Sequence, residues 1–255
     1  MKTTSPTSRL PFFYDYYQNG KKGFAVLIDP DKAGFEHLSQ LIPKAISAGA
    51  CCIFIGGSLL SKQQLETTLS QLRQICHLPL ILFPGSVQQV SALADAILFL
   101  SLISGRNPEY LIGSQVIAAP AVRAAGIEAL PTGYMLIDGG GLTTAAYISN
   151  TQPIPAHKPD IAACTALAGE MLGLQLLYVD TGSGAPLPVA PAIIQAIRHA
   201  TQLPMIVGGG IRNAEAAQVA WQSGADIVVV GNALEEDPSF AEALGLACRQ
   251  FNQAI

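Results

Sequence analysis

The chain has 255 residues, half of them apolar and 13% charged, with 14 Lys and Arg against 18 Asp and Glu for a formal net charge of −4. With no basic run or stripe, nucleic acid is not expected as a partner, and an anionic ligand must be held by backbone N–H groups, helix N-termini or a metal. MKTTSPTSRLPFF at the N-terminus has no apolar signal core, and no run approaches the ~18 apolar residues of a membrane span, so a soluble cytoplasmic protein is expected.

Residues 1–11 read as a tail on a single domain spanning 1–255. The aromatics of FFYDYYQ (12–18) suit a plug for one end of a barrel or a cover for a helix seam. Eight short apolar runs follow: FAVLI (24–28), CIFIG (52–56), LILFP (80–84), AILFL (96–100), GYMLI (133–137), LLYVD (176–180), MIVGG (205–209) and DIVVV (226–230). Amphipathic segments separate them, several stopped by glycine (Gly49, Gly126, Gly173, Gly224). Continuous apolar strands alternating with helices predict a parallel sheet, and eight such units predict an α/β fold of the (β/α)8 TIM-barrel type. Two connections are unusual. FPGSVQQVSALADAI is short enough to be an irregular crossover after strand three. SNTQPIPAHKPD (149–160) is either a mobile loop over a site or a rigid surface connection. The five cysteines lack metal-ligand spacing and read as buried free thiols.

Function in this fold sits at the C-terminal strand ends. YVDTGSGA, VGGGIR and VVGN place glycines after strands six, seven and eight, where exposed amides and helix N-termini can cradle a phosphate. Tight turns alone would explain any one of those glycines. Tyr178 and Asp180 share one face of their strand. A carboxylate repels phosphate, so Asp180 suits a ligand hydroxyl, although a strand-end helix cap competes for it. After strand one, IDPDK supplies Asp29 and Asp31, and IGGS after strand two supplies Ser58. This oxygen-only set suits Mg²⁺, yet DPDK is also a good turn and helix start.

Together IDPDK, IGGS, FLSLISGRNPEYLIG, YVDTGSGA, VGGGIR and VVGN resemble the geranylgeranylglyceryl phosphate synthase family, in order from about Phe24 to Asn232. The PIPAHKPDIAACTALAGEMLG segment, and Leu27 in place of a lysine two residues before the metal aspartate, resemble the second of the family's two sequence groups, which includes heptaprenyl relatives. The resemblance implies Mg-dependent transfer of a prenyl chain, geranylgeranyl in the first instance, from its diphosphate to the 3-hydroxyl of sn-glycerol 1-phosphate. It implies metal binding by Asp29 and Ser58. Tyr178, Val179, Asp180, Thr181, Gly182, Ser183, Gly184, Gly209, Gly210, Gly231 and Asn232 would bind glycerol phosphate, with Asp180 and Tyr178 as catalytic residues. It also implies a homo-oligomer, a dimer or a hexamer. Asp180 stands where the family usually has Glu, one methylene longer. Residues 103–113 would line the prenyl groove or simply pack a helix. Other readings are a sugar-phosphate isomerase, a thiamine-phosphate-type synthase, or a barrel that binds a phosphorylated ligand without catalysis.

Overall fold

The structure, a computed structural model, describes residues 9–62 and 64–254. The expected strands form as β1 (Gly23–Ile28), β2 (Ile53–Ile55), β3 (Leu80–Leu82), β4 (Ala96–Leu102), β5 (Glu128–Leu136), β6 (Leu176–Asp180), β7 (Met205–Gly208) and β8 (Ile227–Val230). They pair in parallel, in sequence order, and β8 closes on β1 with Gly23 opposite Ile227 and Val26 opposite Val230. Closure explains why the strands read as continuous apolar runs: one face fills the barrel and the other meets helices. Phe54, Ile81, Leu98, Leu130, Leu176, Tyr178 and Ile206 lie in the inner cluster, whereas Val26, Ile53, Ile55, Leu177, Val179 and Val207 join the outer layer.

The covering helices are α1 (Leu10–Gln18), α2 (Phe35–Ala48), α3 (Leu65–Ile75), α4 (Ser114–Ala125), α5 (Thr144–Ser149), α6 (Pro159–Met171), α7 (Pro191–Ala200), α8 (Ala214–Gln222), α9 (Asn232–Glu236) and α10 (Phe240–Gln253). Gly49, Gly126, Gly173 and Gly224 all take positive φ at or just beyond helix ends, as their positions predict. A π-helical turn, Glu109–Gly113, feeds α4. Residues 83–95 between β3 and β4 contain only turns and bends, so this crossover lacks a helix.

Three expectations change, and for 149–160 one of two alternatives holds. The expected tail covered 1–11, but α1 already starts at Leu10, and residues 1–8 lie outside the described residues. β5 begins at Glu128, well before GYMLI, because it pairs with β4 along seven positions from Ala96–Glu128 to Leu102–Tyr134. The segment 149–160 is a tied connection: Ile154 is buried and forms a parallel bridge with Ile137, donating its N–H to the Leu136 carbonyl at 2.9 Å. All five thiols are free, but Cys164 is exposed on α6 rather than buried.

α1 does plug the barrel. Phe13 is fully buried in the inner cluster, and Phe12 packs edge-on against both Phe13 and Tyr16. At this closed end Asp226 accepts from Lys22 at 3.2 Å, Arg198 at 3.0 Å and the Met205 N–H at 2.8 Å, while Arg198 lies over the Tyr17 ring. The opposite end stays open.

Candidate active site

The end of β6 builds the first part of the site. Its alternation sends Tyr178 and Asp180 inward and Val179 outward. Asp180 is 6% exposed. Its Oδ1 accepts the Gly182 N–H at 2.8 Å, and its Oδ2 accepts the Tyr134 hydroxyl at 2.8 Å. Burial pushes the Asp180 carboxyl above the ordinary range, while these two donors pull it back down. Burial, and then the charge of Asp180, keeps Tyr134 protonated far above the usual phenol range. The pair is therefore a carboxylate with its donor in place, ready to orient or accept from a ligand hydroxyl.

Tyr134 comes from β5, where barrel register sets it opposite Tyr178. Tyr178 itself lies below Asp180, 1% exposed, its ring 4.5 Å from that of Phe83 and 6.1 Å from that of Phe54. The phenol on Asp180 is thus Tyr134, not Tyr178, which forms the floor. Val179 faces the outer core and is fully buried, so its side chain cannot reach a ligand.

The turns beyond β6 and β7 interlock. Gly182 (φ +90), Gly184 (φ +78), Gly209 (φ +80) and Gly210 (φ +66) are left-handed, a region costly for other residues. A Cβ on Gly209 would sit 2.3 Å from Thr181 Oγ1 and 2.6 Å from Asp180 Oδ1, so glycine is required for space as well as for φ. The Gly182 amide is already taken by Asp180 and is not free for an anion. Thr181 is buried, and its hydroxyl has no partner among the described residues. Gly209→Ala should cost about 1–2 kcal/mol in left-handed strain and, by displacing Asp180, should also lower activity. Thermal melting and turnover measured side by side test this; unchanged turnover would show that Asp180 tolerates the shift.

Across the mouth, Asp29 follows β1 and Gly56–Ser58 follow β2. Gly56 lets the chain pass tight against the Phe83 carbonyl, where a Cβ would lie 1.9 Å away. Buried Gln89 then clamps the two loops, donating to the Gly57 carbonyl and accepting from the Gly85 N–H, both at 3.1 Å. That packing sets Gly57 against the Asp29 carboxylate. Asp31, beside it in sequence, turns away. Slight desolvation opposes its ionisation, but the Ser61 N–H and hydroxyl and the Lys62 N–H hold its carboxyl below the ordinary range. Its carboxylate fastens the 58–62 loop, while its N–H donates to Asp29 Oδ1 at 3.0 Å. From α9, Glu235 accepts the Asp29 N–H at 3.3 Å and lies 3.5 Å from Lys32, whose ammonium also donates to Asn232 Oδ1 at 3.3 Å.

These parts surround one cavity of about 320 Å³. Asp29, Ser58, Asp180, Ser183, Gly231, Asn232, Lys32 and Glu235 line its polar side, and Phe99, Leu100, Leu102, Tyr110, Ala118 and Ile148 line an apolar arm. Of the expected residues, Tyr178, Val179, Thr181 and Gly182 are buried behind this wall, while Gly184 is exposed and Gly209 and Gly210 are half-buried outside its lining. Tyr134, Glu235 and Lys32 are the additions. In the arm, the Tyr110 hydroxyl reaches the Ile148 carbonyl at 3.3 Å and Asn107 donates to the Ser149 carbonyl at 2.7 Å, so residues 103–113 serve both lining and packing. Among the described residues no group of three His, Cys, Asp or Glu could cage a metal. Mg²⁺ needs no such cage: it takes one or two carboxylates, keeps waters and uses substrate phosphates, so Asp29 with Ser58 fits.

The model of the PcrB family matches residues 17–247. Proteins named geranylgeranylglyceryl phosphate synthase from Spirosoma linguale (50% identical, 94% of this chain and 97% of the relative) and Methanothermobacter marburgensis (42%, 91% and 94%) are similar along nearly their whole length. The crystal structure of (S)-3-O-geranylgeranylglyceryl phosphate synthase from Thermoplasma acidophilum in complex with substrate sn-glycerol-1-phosphate superposes with a TM-score of 0.90, at 32% identity over 97% of this chain and 99% of that one. A thiamine phosphate pyrophosphorylase from Pyrococcus furiosus, at 15% identity and a TM-score of 0.57, shares the fold alone. With the barrel, the strand-end motifs and near full-length similarity in agreement, the chain belongs to the PcrB family, together with its geranylgeranylglyceryl phosphate synthase relatives.

Proposed function

We propose that this protein transfers a geranylgeranyl chain from its diphosphate to the 3-hydroxyl of sn-glycerol 1-phosphate, forming an ether-lipid precursor. The observation that carries the reading is the two-sided cavity: an apolar arm opens beside a buried carboxylate–phenol pair and a rim of small residues. Glycerol phosphate would lie at Ser183, Gly231 and Asn232, its hydroxyls against Asp180. Asp180 orients the attacking hydroxyl and takes up its proton, while Tyr134 fixes the carboxylate. The apolar arm holds the prenyl chain and excludes water from the allylic carbon. An isomerase or a phosphate-binding barrel without catalysis would have no use for such an arm.

Charge supports a divalent ion. Three carboxylates and one ammonium line the cavity, a formal net of two negative charges facing two anionic substrates. Asp29 and Ser58 would hold Mg²⁺, which when bound neutralises the departing diphosphate. A homo-oligomer, dimer or hexamer, is part of this reading, supported by exposed Val116, Ile117, Met171 and Leu172. So is a cytoplasmic setting, which suits unpaired thiols. Among the described residues no helix is long and apolar enough to cross a membrane.

The test is transfer from labelled prenyl diphosphates of several lengths to glycerol 1-phosphate. Product should form with Mg²⁺, stop with EDTA and return when Mg²⁺ is restored. No transfer at any chain length would refute the proposed reaction; EDTA-resistant transfer would refute the metal.

A further inference from the structure

Among the described residues lining the cavity, Lys32 is the sole side-chain cation. We infer that Lys32 is a counter-ion for the diphosphate, held in reserve by Glu235; this rests on the reaction proposed above.

Three features carry it. First, the ammonium is shared rather than locked. It lies 3.3 Å from Asn232 Oδ1, 3.5 Å from Glu235 Oε2 and 3.9 Å from Asp29 Oδ2, with 54% of the side chain exposed. A strong charge-assisted N–H···O bond is shorter, about 2.7–2.9 Å. The closed-end lysine, Lys22, is by contrast 12% exposed and paired to buried Asp226.

Second, the backbone beneath is fixed while the side chain has room. The Lys32 and Ala33 amides both donate to the Asp29 carbonyl, at 3.1 and 3.0 Å. Beyond Lys32 a second cavity of about 310 Å³ opens, lined also by Ile28, Ala33, His37 and Glu236. The flexible stem can therefore swing its charge without moving Asp29.

Third, Glu235 is placed to let go. One of its oxygens accepts the Asp29 N–H, and the other faces Lys32. A diphosphate beside Asp29 and Ser58 brings several anionic oxygens to the same ammonium. Lys32 then exchanges one carboxylate for a more highly charged partner, while Glu235 keeps its hold on Asp29. Asn232, which touches Lys32 and lines the cavity beside Gly231, fixes where the ammonium rests at the cavity wall.

A partly exposed ion pair contributes little to stability, so Lys32→Gln should fold and melt as the parent does. The experiment is calorimetric titration of inorganic pyrophosphate into the full chain saturated with glycerol 1-phosphate, without and with Mg²⁺. Lys32→Gln should weaken pyrophosphate binding about tenfold or more in both conditions and leave glycerol 1-phosphate affinity within about twofold. Lys32→Arg should restore most of it, and Glu235→Gln should tighten it. Unchanged pyrophosphate affinity in Lys32→Gln, parallel loss of glycerol phosphate binding, or no pyrophosphate binding by the parent would overturn the role of Lys32. Weakened binding in Glu235→Gln would overturn the reserve. Because binding is read without turnover, failure of prenyl transfer in the unsubstituted protein would be seen separately.

Discussion

Asp180→Asn should lower prenyl transfer by about 10²–10⁴-fold, the range of a lost general base, while glycerol 1-phosphate binding stays within about tenfold. The amide keeps the shape of the side chain, and the Tyr134 hydroxyl can turn to accept from its NH₂ group, so the loss reports on the negative charge and the proton rather than on collapse of the pocket. Stability should move the other way. Burial raises the Asp180 carboxyl in the folded state, so the folded chain holds this proton to higher pH than the unfolded one. Its contribution to stability is full below the unfolded value and is lost as pH rises through the raised folded value. Above that folded value the wild type carries a buried charge that costs stability, and the Asn variant does not. Its melting temperature should equal or exceed that of the wild type. Acidification through the titration window should help the wild type relative to the variant. A variant that turns over normally would remove Asp180 from the chemistry, and one that melts well below the wild type across the alkaline side of the titration would show that its hydrogen bonds outweigh its burial.

Asp226→Ala should be the most destabilising single change at the closed end. Asp226 is 3% exposed and receives Lys22, Arg198 and the Met205 N–H. Its removal leaves two partly buried cations facing each other without a counter-charge, which costs about 3–5 kcal/mol. For a chain of this size that corresponds to roughly 10 °C in melting temperature. Because the network lies at the opposite end of the barrel from the cavity, the fraction that remains folded should keep its turnover. Urea unfolding followed alongside transfer rate separates the two. A loss below about 1 kcal/mol would mean that the pairs act as solvated surface pairs, and reduced turnover in the folded fraction would mean that the plug of α1 couples to the mouth.

Much of this molecule can be read locally. Apolar strands divided by glycine-stopped helices require a barrel covered on the outside and filled within, because each strand has two faces to bury. The strand-end motifs placed Asp29, Ser58, Asp180, Ser183, Gly231 and Asn232 on one rim because every parallel strand ends at the same side. Partnership across strands was not legible. Tyr134 meets Asp180 only because β5 and β6 pair in one register, and nothing near GYMLI marks that phenol. Glu235 reaches Asp29 only because β8 closes on β1. Asp29 and Asp31 look equivalent in IDPDK, yet the 58–62 loop claims Asp31 and leaves Asp29 to the cavity. The same limit applies at Tyr178 and Gly182: alternation showed which way the side chain points and glycine showed where the turn lies, but the neighbouring loops made one a floor and spent the other's amide on Asp180. Chain-local chemistry thus determined the barrel and the rim residues. Closure decided which of them touch, since distances between strand ends depend on register and packing rather than on spacing along the chain.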